Sequence, residues 1–186
     1  MKKFALPSLL TLALTAVLAP NTLANQSGKV TFNGKVIDTT CVIKSGDENK
    51  TVALPTVAKS VFTNTGDVAG QTPFELTING CTNVGSSSAS QGGIHWLTDA
   101  NVDLTTGTLN NVLTSNQASG VNIQLLDNTF AAIKIGSTDD ISSIKYVTLQ
   151  NNQDITVRFY AQYYATSGTV TAGDVQAVAK FELVYK

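Results

Sequence analysis

The chain has 186 residues, with 12 basic and 13 acidic side chains and a formal net charge of −1 at pH 7. A chain of this length can form one domain with a hydrophobic core, and its near-neutral charge excludes a surface built to attract nucleic acid or an anionic membrane. Charged residues make up 13% of the chain, about half the usual share, which favours an extracellular β-sheet protein.

The first 24 residues predict a secretory signal peptide. Lys2 and Lys3 precede an apolar stretch over residues 4–18, and Thr22-Leu23-Ala24 forms a small-residue cleavage site. The apolar stretch is too short to span a membrane. Cleavage after Ala24 leaves a mature chain of 162 residues (186 minus 24), with 10 basic and 13 acidic side chains.

The segment that follows changes its pattern near Gly34. In KVTFNGKVIDTTCVIK, Val30 and Phe32 share one face of an extended chain, whereas Ile37 and Cys41 belong to the other alternation frame. Because successive side chains of a strand point to opposite faces, this shift indicates two different strands joined at Gly34. A β-bulge within one first strand would give the same pattern.

Cys41 and Cys81 are the only two cysteines in the chain. In an exported protein, two cysteines most simply pair with each other, and closing a loop of this size stabilises the fold by roughly 4 kcal/mol in the chain-entropy model. Two free buried thiols are the alternative. A redox role is disfavoured because the cysteines lack Cys-x-x-Cys spacing.

The rest of the chain alternates apolar and polar residues with a period of two. Predicted strands are TVALP, ended by Pro55; TPFELTINGC, ended by a turn at Asn79-Gly80; GVNIQLLD; FAAIKIG, after a turn at Asp127-Asn128; DITVRFYAQYYAT; and a final run from near Gly173 to Tyr185. About seven short strands bounded by turn residues predict an all-β, two-sheet antiparallel sandwich.

The sequence indicates no catalytic, cofactor or metal site. His95 is the only histidine, and a lone imidazole forms neither a metal site nor a catalytic triad by itself. Asp139 and Asp140 are adjacent on a predicted turn, without the pattern of a calcium-binding loop. We therefore expect a protein that is not an enzyme and needs no cofactor.

Five blocks of the sequence resemble the major subunits of chaperone–usher pili and are similar to type 1 fimbrial pilins. The blocks are GKVTFNGKVIDTTCVI, INGC, GVNIQLLD, RFYAQYYAT and a C-terminal alternating strand with a penultimate tyrosine. They follow the family's order over essentially the whole mature chain. The resemblance implies an incomplete immunoglobulin-like antiparallel sandwich that is completed by a donor strand from a neighbouring subunit.

The resemblance also implies a division of the chain and a set of partners. The expected parts are a signal peptide (residues 1–24), an N-terminal donor-strand arm (residues 25–33) that presents Gly28, Val30 and Phe32 on one face, and a pilin domain (residues 34–186). A periplasmic chaperone would fill the open groove first. At the outer-membrane usher, the arm of the next copy or of a related pilin would replace the chaperone, giving a head-to-tail filament on the cell surface.

The C-terminal strand is expected to border the groove and to bind the chaperone. Gly173 is fourteenth from the C-terminus and Tyr185 is penultimate, positions at which the family has a glycine and an aromatic residue. The glycine is expected to permit the bend that enters the strand. The expected edge residues are Gly173, Val175, Ala177, Ala179, Phe181, Leu183 and Tyr185.

These observations predict a structural subunit, a major shaft pilin, of a chaperone–usher fimbria that supports bacterial adhesion. The alternative is a minor adaptor or tip-associated adhesive pilin. A tip adhesin with an additional lectin domain is disfavoured, because 162 residues leave no room for that domain. A secreted enzyme would need polar catalytic groups that the sequence does not supply.

Overall fold

The computed structural model describes residues 28–85, 88–137 and 143–186. The signal peptide, the first three residues of the predicted arm and the Asp139-Asp140 pair lie outside the described residues. The chain divides into two compact units, Met1–Lys35 and Val36–Lys186.

In the first unit, the described residues 28–35 form no β-strand. The side chains of Val30 and Phe32 are 75% and 90% exposed. A Cβ built on Gly28 would have no atom within 4 Å. The apolar face predicted for the arm is therefore exposed to solvent.

In the described part of the second unit, the regular secondary structure is β-strand apart from one 3₁₀ turn at Lys59–Val61. Its described strands are β1 (Thr40–Ile43), β2 (Val68–Thr82), β3 (Gln91–Leu97), β4 (Val102–Asp103), β5 (Thr108–Leu109), β6 (Val121–Leu126), β7 (Ala132–Ile133), β8 (Val147–Thr148), β9 (Ile155–Ala165) and β10 (Lys180–Tyr185). In the described part of the chain, no helix has the length and apolar character needed to cross a membrane.

Two antiparallel sheets form this unit, which confirms the predicted all-β architecture. The larger sheet has the order β1-β2-β9-β6-β5-β4, with β7 also paired to β6, and the smaller sheet has the order β10-β3-β8. Trp96 of the smaller sheet packs edge-on against Phe74 and Phe159 of the larger one, with ring centroids 6.1 and 5.2 Å apart. The core therefore lies between the two sheets, as in other β-sandwiches.

The predicted disulfide is present between Cys41 and Cys81 and ties β1 to the end of β2. The turn predicted at Asn79-Gly80 is wrong, because β2 continues to Thr82. Gly80 has a φ of +60°, and the pairing of β1 with β2 shifts register opposite it. Gly80 therefore lies in a β-bulge inside a paired strand, and the chain does not reverse direction there.

Two other strand predictions are also wrong. TVALP at residues 51–55 forms no strand, and the final strand begins at Lys180, not near Gly173. Residues 51–54 and 175–179 nevertheless alternate between exposed and half-buried side chains. These segments have the burial pattern of strands but lack the continuous backbone pairing with a neighbouring strand that defines one.

Candidate functional site

A groove of about 600 Å³ lies between two extended segments of the second unit. We call residues 47–54 its N-terminal wall and residues 175–181 its C-terminal wall. Apolar side chains from both sheets form the floor: Phe74, Trp96, Leu109, Ile123, Leu125, Ala161 and Tyr163. The groove therefore gives access to the hydrophobic core.

The C-terminal wall is hydrogen-bonded along one side only. On that side, β10, which begins at Lys180 within the wall, pairs with β3. Earlier in the wall, the Gln176 carbonyl accepts a hydrogen bond of 2.8 Å from the amide of Val112. The backbone groups of Val175, Ala177 and Ala179 take part in no hydrogen bond within the described ranges. Because backbone groups of successive residues in an extended chain point to opposite sides, one edge of this wall is free.

The N-terminal wall is attached to the larger sheet at its start. The Asp47 carboxylate accepts a hydrogen bond of 2.7 Å from the amide of Thr77 and forms an ion pair of 2.7 Å with the Lys50 ammonium group. Lys50 also donates to the carbonyl of Glu75 at 2.6 Å. The hydrogen bond from Lys50 is the main cause that holds the pKa of Asp47 below its usual value.

Beyond this attachment, the N-terminal wall has no backbone partner. Val52 and Leu54 are half-buried, whereas Thr51 and Ala53 are exposed. Among the described residues, the backbone of residues 51–54 forms no hydrogen bond. The groove is thus bordered on both sides by extended backbone with unpaired donors and acceptors.

Gly173 lies immediately before the C-terminal wall, in close contact with the chain at residues 116–118. A Cβ at Gly173 would lie 2.4 Å from both the amide nitrogen of Ala118 and the carbonyl carbon of Gln117. Its φ of 159° is nearly extended. This close approach of backbone leaves no room for a side chain at residue 173, which is a reason for glycine that the sequence did not show.

Tyr185 joins the C-terminal strand to β1. Its hydroxyl oxygen accepts a hydrogen bond of 3.0 Å from the amide of Cys41, while the hydroxyl donates to the carbonyl of the same residue at 3.4 Å. Tyr185 and Leu183 pack against the core but do not line the groove, whereas Val175, Ala177, Ala179 and Phe181 do.

Sequence reasoning missed three parts of this site: Trp96 in the floor, the N-terminal wall and the side chain of Asn111. The alternation in TVALP was the available signal for the N-terminal wall. Asn111 contacts the backbone next to the C-terminal wall through its amide. No sequence pattern pointed to Asn111, because its partners Asp174 and Gln176 lie more than 60 residues away.

The groove has the chemistry of a binding surface. No group of three or more metal-ligating side chains occurs in the part of the chain that the structure describes. His95 lies outside the groove lining, with its Nδ1 atom 2.9 Å from Glu182 Oε1 across β3 and β10. Apolar surface with two free backbone edges is suited to an extended peptide segment.

Comparisons with known proteins agree with this geometry. A family model described as "Fimbrial protein" matches residues 30–186. The chain is 40% identical to the F17 fimbrial protein of Escherichia coli over 174 residues, covering 93% of this chain and 94% of the relative. It is 34% identical to the major fimbrial subunit SMF-1 of Stenotrophomonas maltophilia, covering 90% and 97%.

A solved chaperone–usher pilus structure has the same fold. Its TM-score is 0.59 at 20% sequence identity, and the match covers 89% of this chain and 99% of the other. The fold is therefore the immunoglobulin-like pilin sandwich that lacks one strand. On the match over residues 30–186 and the 40% identity to a fimbrial protein, the chain belongs to the fimbrial protein family.

Proposed function

We propose that this protein is the major structural subunit of a chaperone–usher fimbria and that it polymerises by donor-strand exchange. The groove with two unpaired walls carries this proposal, because one inserted strand would pair with both walls and cover the exposed core. Donor-strand complementation of pilins is itself a known form of β-strand addition, so the groove adds a specific location to a known mechanism.

The proposed donor is the arm of a neighbouring copy, residues 25–33. Val30 and Phe32 are largely exposed, and they share with Gly28 the face that would enter the groove. The seven residues of the C-terminal wall span about 20 Å when extended, a length that an arm of this size can cover. Donor and acceptor then belong to different parts of one molecule, which generates an open head-to-tail filament.

The unpaired backbone of the two walls also indicates that the subunit needs assembly partners. Unpaired strand edges next to apolar surface promote aggregation, so a periplasmic chaperone would occupy the groove until an outer-membrane usher brings in the next arm. We infer a route through the periplasm to a surface fimbrium that supports adhesion. The role is structural and non-enzymatic, in agreement with the fimbrial names of the relatives.

The test uses a synthetic peptide of residues 25–32 added to the exported chain. Trp96 is the only tryptophan and lines the groove, so its fluorescence should change as the groove fills. A control peptide with Val30→Ser and Phe32→Ser should bind far more weakly. Equal responses to both peptides, or no response to either, would refute the proposal.

Immunogold labelling of fimbriated cells separates the main proposal from a minor adaptor or tip-associated role. Label along the whole filament is expected for a shaft subunit. Label confined to filament tips would overturn the shaft assignment while leaving donor-strand exchange intact.

A further inference from the structure

We propose that Asn111 is a positioning residue that holds the C-terminal wall in the conformation that accepts a donor strand. This inference rests on the proposed function, since it assigns a residue to the same groove. Asn111 lies outside the strands and does not line the groove, so its effect would be exerted through the backbone of residues 174–176.

One amide side chain makes four hydrogen bonds at this position. Asn111 Nδ2 donates to the carbonyls of Asp174 at 2.8 Å and Ala118 at 3.0 Å. Its Oδ1 accepts from the amides of Gln176 at 3.1 Å and Leu113 at 3.3 Å. Asn111 therefore connects the chain near residue 118 to the start of the C-terminal wall.

These contacts lie beyond the ladder between β10 and β3. Asp174 is also bound there by the backbone of Asn116 and Ala118, whereas the amide of Gln176 donates to the Asn111 side chain. The pairing of β10 with β3 begins at Lys180, opposite Leu97, so residues 174–179 extend beyond that ladder. Asn111 and the amide of Val112 bind Asp174 and Gln176 on the side away from the groove. The backbone groups of Asp174 and Gln176 are thereby occupied, whereas those of residues 175, 177 and 179 remain directed to the incoming strand.

Holding this segment in an extended conformation removes part of the ordering cost of strand insertion. The amide chemistry is specific, because a carboxylate could still accept from Gln176 but could not donate to the two carbonyls. Asn111→Ala and Asn111→Asp should therefore both slow donor capture. Once the donor is in place, its own backbone bonds fix the wall, so donor release should change little.

The experiment measures the association rate of the residue 25–32 peptide with the full exported chain by Trp96 fluorescence. Asn111→Ala is expected to slow association about tenfold, equivalent to about 1.4 kcal/mol, and to change dissociation by less than about twofold. Asn110→Ala is the matched control, because it loses a neighbouring side-chain bond of 3.1 Å from Asn122 without touching the wall. Its association rate should equal that of the wild type.

Equal association rates for Asn111→Ala and the wild type would overturn the inference while leaving the proposed function intact. A wild-type chain that fails to bind the peptide would overturn both. Amide hydrogen exchange on the wild type provides a test that needs no variant: Gln176 should be protected, whereas Val175 and Ala177 should exchange rapidly. Exchange of Gln176 as fast as its two neighbours would also overturn the proposal.

Discussion

Appending a second copy of residues 25–32 after Lys186 should convert the subunit into a stable monomer. β10 pairs with β3 on one side, and the C-terminal wall of the groove consists of the start of β10 and the backbone that precedes it. A linker of about nine Gly, Asn or Ser residues after Lys186, about four for the turn and five to run back beside residues 182–186, would place the appended segment antiparallel to residues 175–181. The segment would then lie along its own groove.

The stabilisation is measured against a control fusion in which the appended copy carries Val30→Ser and Phe32→Ser. Both fusions have the same length and nearly the same cost of ordering the backbone. Burying each apolar side chain stabilises the fold by about 1.5–3 kcal/mol, so the unmodified fusion should be about 3–6 kcal/mol more stable. In a domain of this size each kcal/mol shifts the melting temperature by about 2–4 °C, which predicts a difference of roughly 6–24 °C.

The assay is thermal melting followed by circular dichroism, combined with size-exclusion chromatography. The unmodified fusion should elute as a monomer and should no longer bind the free residue 25–32 peptide. Equal melting temperatures for the two fusions, or continued polymerisation of the unmodified one, would refute the idea that these residues supply the missing strand.

Three further changes test contacts that stabilise the second unit: the disulfide, the Tyr185 hydroxyl group and the Asp47 carboxylate. Replacing Cys41 and Cys81 by serine should cost about 2–5 kcal/mol in urea unfolding, and an unchanged midpoint would contradict a stabilising bridge. Tyr185→Phe keeps the ring but removes the hydroxyl, and should cost about 1 kcal/mol in the same assay; no loss would mean that its bonds to β1 are immaterial. Because Lys50 lowers the pKa of Asp47 below the usual 3.8, the ionised Asp47 stabilises the fold above about pH 4, and that stability is lost as the pH falls through the lowered pKa. Asp47→Asn should flatten this acid dependence in pH-resolved melting, and parallel curves would argue against it.

The sequence by itself determined which faces of the strands are apolar, which cysteines pair and which family the chain belongs to. Alternation with a period of two depends only on the order of residues, so it correctly located most of β2, β6 and β9. It also gave the correct inward face for residues 175–179. The five family blocks were recognisable for the same reason, since each is local in the chain.

Only the tertiary structure decided which extended segments have partners. A strand is defined by hydrogen bonds to another segment, and alternation carries no information on whether that segment is present. The sequence therefore predicts strands at residues 51–54 and 175–179. In the fold, both segments border an open groove.

The reasons for single residues also depend on distant contacts. Gly80 occupies a bulge because β1 pairs across it, and Gly173 is required because the chain at residues 116–118 passes within 2.4 Å of its missing Cβ. Asn111 holds the backbone of residues 174–176 from more than 60 positions away. Such proximities arise only when the chain has folded, because local residue order does not specify which distant backbone will lie beside a given side chain.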